Sequence, residues 1–453
     1  MKILYLAHRI PYPPNKGDKI RSFHEIKFLS KSHRIHLCCL ADNPRDLQYA
    51  GDLNAYCQTV TIVPINPRIA RLKSMPYLFS RRPLSIPYFY SRKLQKAIDR
   101  LLSAIAFDCI LCFSSPMAEY IFRSPACDTH NDMYNGKHND KCNDTHNFPS
   151  PFAPRLIMDF CDVDSHKWIQ YAQSSSFPLS LLYRLEGRRL AAYERRIAES
   201  FDHSVVISQK EAEIFRNQNP HIPLITVVAN GVDYSYFNPD EVYPLLPLSP
   251  QSLLAPASEK QSPSPLLVFT GAMDYHANVD AVVWFCKEIF PALKARIPHI
   301  QFYIVGSNPC QKVKLLENGD SIKVTGFVED IRPYYQGAHV CVIPLRLGRG
   351  VQNKVLEAMS MGKAIVTTPK ALEGISAVAG EHLLVGNDQE SISRAILMLL
   401  NDQDLRIKLG AKARHYVKTH YNWSSNTKKL ESLLQADPEH DETIFVEAAV
   451  SVN

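Results

Sequence analysis

The sequence predicts an α/β protein with two doubly wound domains, each a parallel sheet covered by helices. Three observations lead to this prediction. The chain of 453 residues is too long for one ordinary core and suits two domains of about 200 residues. In its first half, apolar strand-like runs alternate with amphipathic helical runs, as a parallel sheet requires. The second half repeats this alternation after a stretch rich in proline and serine.

The first-half strands are predicted from short apolar runs, and a helical pattern over residues 19–30 follows the first of them. The runs are KILYLA from Lys2, RIHLCCL from Arg34, FDCILCF from Phe107, RLIMDFC from Arg155 and HSVVIS from His203. We place the N-terminal domain at 1–238, with an irregular insertion at 123–154 that contains Cys and His residues. That insertion is predicted to be a mobile loop because it lacks apolar anchors, and transition-metal binding by its thiols and imidazoles is the alternative.

The second-half strands are predicted in the same way, with a helical pattern over residues 277–293 after the first. The runs are PLLVFTG from Pro265, IQFYIVG from Ile300, IKVTGF from Ile322, HVCVIPL from His339 and KAIVTT from Lys363. We assign a linker to 239–264 and a C-terminal domain to 265–420. A helix over 421–436 is expected to return to the N-terminal domain, and an acidic tail over 437–453 is expected to fray.

Composition narrows the class of protein. No run of eighteen apolar residues predicts a membrane span, and the apolar run at the N-terminus is too short for a signal peptide. Eleven cysteines without a regular spacing favour a reducing compartment, so we expect a cytoplasmic protein. The CxxC of Cys109 and Cys112 lies in an apolar strand pattern, which favours buried packing over metal or redox use.

The net charge of +6 is unevenly spread. Residues 68–100 hold nine Lys or Arg against the single acid Asp99, interleaved with five Tyr or Phe. Basic residues mixed with aromatics suit an anionic membrane surface, which would make the protein peripheral on the inner face of the cytoplasmic membrane. A solvated pair of helices with a loop is an equally weighted interpretation. No nucleic-acid partner is expected.

The run RGVQNKVLEAM over 349–359 points to an anion site. It follows a buried strand and a glycine-containing turn, so the free N–H groups of a helix N-terminus would face the edge of a sheet. Arg349, Gly350 and Lys354 would hold a diphosphate, and Glu357 would project from the same helical face as Lys354 to bind a sugar hydroxyl. The alternative is an ordinary Lys–Glu surface pair.

Two further segments of the first half carry candidate residues. Gly17 lies between a first strand and a helix, where its missing Cβ would let the backbone approach a ligand. In IMDFCDVDSHKW, Asp162 and Asp164 follow a strand and could take a proton from an incoming hydroxyl. The alternative roles for this segment are a D-x-D metal site formed by the two aspartates and capping of a helix by Asp164 or Ser165.

Several segments resemble glycosyltransferase family 4, whose members have the GT-B fold of two Rossmann-like domains facing across a crevice. The closest resemblance is to its exosortase-associated sugar transferase branch. The similar segments are DFCDVDSHKW (159–168), VVANGVDYSYFNP (227–239), FTGAMDYHANVDAVVWF (269–285), VTGFVEDIRPYY (324–335) and RGVQNKVLEAMSMGKAIVTT (349–368).

The resemblance implies a donor site in the C-terminal domain. Its phosphate loop begins at Gly271, its base loop contains Phe327 and Val328, and Glu357 is the second member of a Glu-x7-Glu pair that binds ribose. Arg349 stands where the first Glu is expected. Met273 and Asn278 stand where the family often has Arg and Lys, so Arg349 and Lys354 are the expected replacements. Asp162, then Asp164, are the expected catalytic residues.

The implied function is retaining transfer of a sugar from a nucleotide diphosphate sugar to a glycan or polyprenyl-linked glycan, in exopolysaccharide biosynthesis. The nucleotide sugar is a co-substrate, and no cofactor or metal is expected. A GT-B-fold epimerase and a non-catalytic sugar-nucleotide-binding protein are the alternative functions.

Overall fold

The computed structural model describes residues 1–130, 153–173, 175–222, 225–244, 264–348 and 350–435. These residues form two compact units. The first unit comprises Met1–Ala229 and the chain from Trp423 onward, and the second comprises Asn230–Asn422.

The first unit is built on a parallel sheet with the strand order β3-β2-β1-β4-β5-β6-β7 within the described residues. Neighbouring strands pair in register, with Ile3 opposite both Ile35 and Cys109. The strands are β1 (Lys2–Ala7), β2 (Arg34–Ala41), β3 (Thr59–Pro64), β4 (Cys109–Phe113), β5 (Arg155–Cys161), β6 (His203–Val206) and β7 (Ile225–Val227).

Helices cover both faces of this sheet. They are α1 (Gly17–Leu29), α2 (Pro67–Ser74), α3 (Ser85–Phe89), α4 (Arg92–Ala104), α5 (Ala118–Phe122), α6 (Asp164–Gln173), α7 (Leu179–Ser200), α8 (Gln209–Gln218) and a C-terminal helix (Trp423–Gln435). Short 3₁₀ helices span Pro44–Ala55, Met75–Phe79, Ser115–Met117 and Pro125–His130. The C-terminal helix packs on α1, where the Trp423 ring stacks on His24 with centroids 4.6 Å apart.

Alternation along the strands produces two cores, one on each face of the sheet. Cys112 belongs to one core and Cys109 to the other, and both are fully buried. Because their side chains point to opposite faces, they cannot share a metal ion. The prediction that this CxxC serves packing is confirmed.

The second unit has a parallel sheet with the order β10-β9-β8-β11-β12-β13 within the described residues. Its strands are β8 (Leu266–Thr270), β9 (Gln301–Val305), β10 (Ile322–Gly326), β11 (Val340–Ile343), β12 (Ile365–Thr367) and β13 (Leu384–Val385). Its helices are α9 (His276–Trp284), α10 (Phe290–Arg296), α11 (Gln311–Lys314), α12 (Arg332–Gly337), α13 (Asn353–Ser360), α14 (Pro369–Leu372), α15 (Gln389–Asn401) and α16 (Gln403–His420), with a π-helical turn at Phe285–Ile289. Two doubly wound parallel sheets are therefore confirmed.

The division of the chain falls earlier than the predicted boundary at 238. Residues 230–238 pack on the second unit, because Ser360 Oγ donates to the carbonyl of Phe237 and Arg414 donates to the side chain of Asn238. The chain also leaves the second unit after Asn422, slightly later than predicted. Most of the insertion at 123–154, most of the linker at 239–264 and the tail at 437–453 lie outside the described residues.

Among the described residues, no helix is both long and apolar enough to cross a bilayer. In the same residues, no group of three His, Cys, Asp or Glu side chains is placed to hold a metal ion, and this includes the D-x-D of Asp162 and Asp164. The metal alternative for the insertion falls mainly on residues outside the described part of the chain.

Candidate functional site

The second sheet changes winding direction between β8 and β11. From β8 the chain proceeds outward through β9 to β10, and it then returns to β11 on the other side of β8. In open α/β sheets, ligands bind outside the carboxyl ends of the strands at such a switch point. The segments that leave β8 and β11 here are the predicted phosphate loop and the RGVQNKVLEAM run.

Gly271 leaves β8 in a conformation that favours glycine, with φ of 150°. A Cβ at this position would lie 2.7 Å from Asn278 Nδ2 and 3.1 Å from Lys354 Nζ. The missing side chain therefore leaves room for both groups beside the loop.

Lys354 lies in the first turn of α13 and reaches back to the start of α9. Its ammonium donates a hydrogen bond to Asn278 Oδ1 and lies 4.5 Å from the centroid of the buried Phe269 ring. Asn278 Nδ2 in turn donates to the carbonyl of Ala272 at 2.9 Å. In the sequence, Asn278 was notable only because the family often has a cationic side chain near this position. In the structure, the Asn278 side chain orients the Lys354 ammonium.

The environment of Lys354 favours its neutral form. Burial lowers the pKa of Lys354 to about 7, and the charge of Glu357 only partly opposes this shift. A diphosphate placed beside the amine would supply the missing negative charge. The N-terminus of α13 adds a positive dipole end, since the side chain of Gln352 does not cap it.

Glu357 is held by a chain of hydroxyl groups. Tyr335 OH donates to Glu357 Oε2 at 2.8 Å, and Thr270 Oγ1 lies 2.8 Å from the same phenol oxygen. Because the phenol has one proton, Thr270 must donate to Tyr335. Burial raises the pKa of Glu357, although the Tyr335 hydrogen bond opposes the shift. Oε1 of Glu357 has no hydrogen-bond partner within the described part of the chain, so it can accept a ligand hydroxyl.

The alternative prediction, an ordinary surface pair between Lys354 and Glu357 on α13, is wrong. Lys354 binds Asn278 and Glu357 binds Tyr335, and no salt bridge joins the two charges among the described residues. Arg346, in the turn before α13, forms a bidentate pair with Asp280 at 2.6 and 3.1 Å. Arg349 lies outside the described residues.

The other described residues that were predicted to bind the donor lie at the same edge of the second sheet. Gly350 is buried with φ of 64°, and a Cβ on Gly374 would lie 2.5 Å from its carbonyl oxygen. Phe327, 72% exposed, and the half-buried Val328 follow β10. Since β10 is two strands from β8, this loop lies roughly 10 Å across the sheet from Gly271. The spacing suits a base at one end of a nucleotide and a diphosphate at the other.

The first sheet has its own switch point between β1 and β4. Gly17 is the exposed first residue of α1, next to Asp18. Asp18 Oδ2 lies 3.2 Å from His8 Nε2 and accepts from Arg9 NH1 at 2.6 Å. Burial opposes ionisation of Asp18, but the His8 hydrogen bond and the Arg9 charge outweigh it and lower its pKa. These contacts fix the loop that contains Gly17.

Asp162 lies in a turn that a buried ionic network supports. The turn begins at Cys161, which has φ of 62° and donates its N–H to Asp159 Oδ1 at 2.8 Å. Arg21 donates to Asp159 Oδ2 at 2.6 and 2.9 Å, and both side chains are fully buried. Val163 N–H donates to Glu211 at 2.7 Å on the far side of the turn. The half-buried Asp162 is thereby held between two anchored neighbours.

Asp164 is less suited to proton transfer. It is the first residue of α6, and its carboxylate lies 3.4 Å from the Lys167 ammonium. An acid in the first turn stabilises a helix, so a structural role explains Asp164. Ser165 lies inside the helix and donates its N–H to Glu194, so the capping role considered for it is wrong.

A comparison with protein-family models finds one match, over residues 264–402, to the family described as glycosyl transferases group 1. Residues 264–402 form a glycosyltransferase group 1 domain. This group 1 domain contains Gly271, Phe327, Val328, Gly350, Lys354 and Glu357. Gly17, Asp162 and Asp164 lie outside the matched residues.

Curated relatives match parts of the chain. An uncharacterized glycosyltransferase of Methanocaldococcus jannaschii is 33% identical over 19% of this chain and 23% of its own length. A GDP-mannose-dependent monoacylated alpha-(1-6)-phosphatidylinositol monomannoside mannosyltransferase of Corynebacterium glutamicum is 22% identical over 54% of this chain and 65% of its own length. The chain thus spans less than two thirds of each of these relatives.

Solved structures match both the group 1 domain and the first unit. Sucrose-phosphate synthase from Thermosynechococcus elongatus has a TM-score of 0.65 at 16% identity, over 96% of this chain and 98% of that one. Anabaena HepE in complex with UDP-glucose has a TM-score of 0.59 at 14% identity, over 96% and 99%. At these identities the likeness concerns the fold, and the predicted GT-B fold is confirmed.

Proposed function

We propose that this protein is a glycosyltransferase that moves a sugar from a nucleotide diphosphate sugar to a glycan or polyprenyl-linked glycan. One observation carries the proposal. In the group 1 domain, Lys354 and Glu357 lie on one helix face at the switch point of the sheet, each fixed by a separate hydrogen-bond chain. A diphosphate and a sugar hydroxyl are the groups that such a pair of charges would bind.

Each part of the donor has a proposed partner in the group 1 domain. The diphosphate meets Lys354, the N–H groups at the start of α13 and the backbone at Gly271. The ribose meets Oε1 of Glu357, and the base lies near Phe327 and Val328. Arg349 stays a predicted second cation for the diphosphate.

The reaction needs charge stabilisation on the donor side and a base on the acceptor side. As the bond between the sugar and the diphosphate breaks, negative charge grows on the leaving oxygen, and protonated Lys354 stabilises it. The acceptor oxygen forms the new bond to the same sugar carbon and loses its proton to the carboxylate of Asp162. Retention of anomeric configuration is proposed from the resemblance to family 4.

The setting of the reaction is proposed from relatives. HepE was crystallised with UDP-glucose and the Corynebacterium relative is named for GDP-mannose, so both UDP- and GDP-sugars are candidate donors here. The resemblance to the exosortase-associated branch supports exopolysaccharide biosynthesis on a lipid-linked acceptor. The enzyme would then work at the cytoplasmic face of the membrane.

Product analysis tests this function. The protein is incubated with nucleotide sugars, with and without polyprenyl-linked glycan, and the sugar products are resolved by NMR. We expect release of nucleotide diphosphate and a retained anomeric linkage only with acceptor, and loss of both in Asp162→Asn. Epimerised donor formed without acceptor would replace this proposal with an epimerase. Donor binding without turnover, unchanged by Asp162→Asn, would replace it with a non-catalytic binding protein.

A further inference from the structure

The first unit contains a cavity of about 760 Å³ that the proposed reaction leaves without a role. It lies between the end of β3, helices α2 and α3, and the first turn of α4. Its lining is strongly basic, with five cations and one acid, namely Lys73, Arg82, Arg92, Lys93, Arg123 and Glu119.

Most of this positive charge is uncompensated. The one acid is already engaged, since Glu119 accepts hydrogen bonds from Arg123 and from Tyr193. The side chains of Lys73, Arg82, Arg92 and Lys93 make no hydrogen bond or ion pair within the described part of the chain. Four like charges around one cavity repel one another, and an anion would relieve that repulsion.

The start of α4 also favours the binding of an anion. Ser91 precedes the helix without capping it, its first turn contains no acid, and Arg92 and Lys93 are its first two residues. Cations normally stabilise the C-terminus of a helix rather than its positive N-terminal end. This reversed arrangement is unfavourable for folding alone, and it becomes favourable when an anion binds the free N–H groups and the two cations together.

An apolar face lies beside the cavity. Ile69, which also lines the cavity, is 50% exposed, Leu72 is 65% exposed and Met75 is 55% exposed. Their spacing of three residues puts them on one side of α2 and the turn that follows it. Phe79, a few residues further on, is 96% exposed. Large apolar side chains exposed together indicate a surface that contacts something apolar.

A second exposed apolar group lies where α7 begins. Phe177 and Leu181, at the start of α7, are 79% and 61% exposed. Helix α7 is fixed to residues 77–85, because Arg189 donates to the carbonyl of Leu78 at 2.9 Å and Glu186 accepts from Leu84 N–H at 2.8 Å.

We propose that the cavity binds the phosphate group of an anionic membrane phospholipid, while the exposed face of α2 and Phe79 enters the acyl region. The cations and the α4 N-terminus supply charge and donors for the phosphate, and the apolar face distinguishes a lipid from a soluble phosphate. The inference depends on the proposed function in one respect. Lipid binding would serve to hold the enzyme beside a lipid-linked acceptor. Binding itself is measurable without turnover.

Vesicle cosedimentation of the full-length protein tests the inference. Vesicles of phosphatidylcholine alone are compared with vesicles containing 30% phosphatidylglycerol, and the Arg92→Gln/Lys93→Gln variant is compared with Lys96→Gln/Arg100→Gln. The second pair is the matched control, because it removes the same charge from exposed positions on α4 that do not line the cavity. Removing cations from the α4 N-terminus should not lower thermal stability, so unfolding would not obscure the result.

We expect binding to the anionic vesicles only, weakened about 20-fold by the cavity pair and about threefold or less by the control pair. Phe79→Ser is expected to weaken binding, whereas Leu315→Ser, at another largely exposed apolar position in the second unit, leaves it unchanged. Equal losses in the two charge pairs, or no binding to anionic vesicles, would overturn the proposal.

Competition by glycerol phosphate is the last part of the test. If millimolar glycerol phosphate releases the protein from vesicles at constant ionic strength, the cavity prefers a soluble phosphate and the lipid assignment is wrong. Thermal stabilisation by nucleotide sugars is measured on the same variants. Its absence in the wild type counts against the proposed function and leaves the lipid result standing.

Discussion

Donor binding should weaken as pH rises, because Lys354 loses its proton near neutrality. Burial lowers the pKa of Lys354 from 10.5 to about 7. A bound diphosphate stabilises the ammonium and raises that pKa again, so binding takes up a proton above pH 7. The binding-competent form of the protein therefore predominates below pH 7 and is lost as the pH rises through 7.

The magnitude follows from the fraction of protein that has the ammonium. With a pKa of about 7, roughly nine tenths is protonated at pH 6, one tenth at pH 8 and one hundredth at pH 9. The apparent dissociation constant scales inversely with that fraction. We expect it to rise about tenfold between pH 6 and pH 8, and about a hundredfold by pH 9.

Calorimetric titration with an intact nucleotide sugar measures this dependence, since its diphosphate has no group that titrates in this range. Buffers of different ionisation enthalpy give the proton uptake, expected near one per ligand at pH 8 and near zero at pH 6. Lys354→Met should bind weakly and without pH dependence, while Lys370→Met, which removes an ammonium paired with Glu373, should behave like the wild type. A wild-type affinity that is constant from pH 6 to pH 9 would refute the reasoning.

Three further predictions concern single side chains. Glu357→Gln should weaken donor binding by about 1.5–3 kcal/mol in calorimetry with little change in melting temperature, whereas Glu357→Ala should also lower stability by about 1–3 kcal/mol because it leaves the Tyr335 hydroxyl unsatisfied. Asp162→Asn should lower kcat by about 10²- to 10⁴-fold without changing donor affinity, and Asp164→Asn should change kcat much less. Gly271→Ala should weaken donor binding in the same titration, because its Cβ would displace the two polar side chains that approach the loop.

Each of these has an outcome that contradicts it. Unchanged donor affinity in Glu357→Gln would remove this carboxylate from the ribose site. A larger kcat loss in Asp164→Asn than in Asp162→Asn would reverse their assigned roles. Normal donor affinity in Gly271→Ala would mean that the ligand does not approach this loop.

The fold was predictable where strands are long and continuously apolar. Parallel strands covered on both faces, such as β1 and β8, have that pattern. Strands β3, β7 and β13 were not predicted from the sequence. Strand β3 at the sheet edge is only partly buried, and β7 and β13 have only three and two residues, too few for any period to be visible.

From residue spacing alone, the candidate site was predictable only where one helix contains its residues. The positions of Lys354 and Glu357 three residues apart place them on one face of α13, and the structure keeps them there. Their partners come from other elements, with Asn278 separated from Lys354 by 76 positions and Tyr335 from Glu357 by 22. Such contacts depend on strand order, which a single sequence does not reveal. The low pKa of Lys354 depends on the same packing.

The measurement that tests the central claim most directly is thermal stabilisation of the purified protein by UDP-, GDP-, ADP- and dTDP-sugars. A ligand that binds only the folded state at about 100 times its dissociation constant stabilises it by about 2.7 kcal/mol, which corresponds to a rise of several degrees in melting temperature. We predict such a rise with one nucleotide class in the wild type and a clearly smaller rise in Glu357→Gln. No rise with any of the four classes, or an equal rise in wild type and Glu357→Gln, would contradict the proposed donor site.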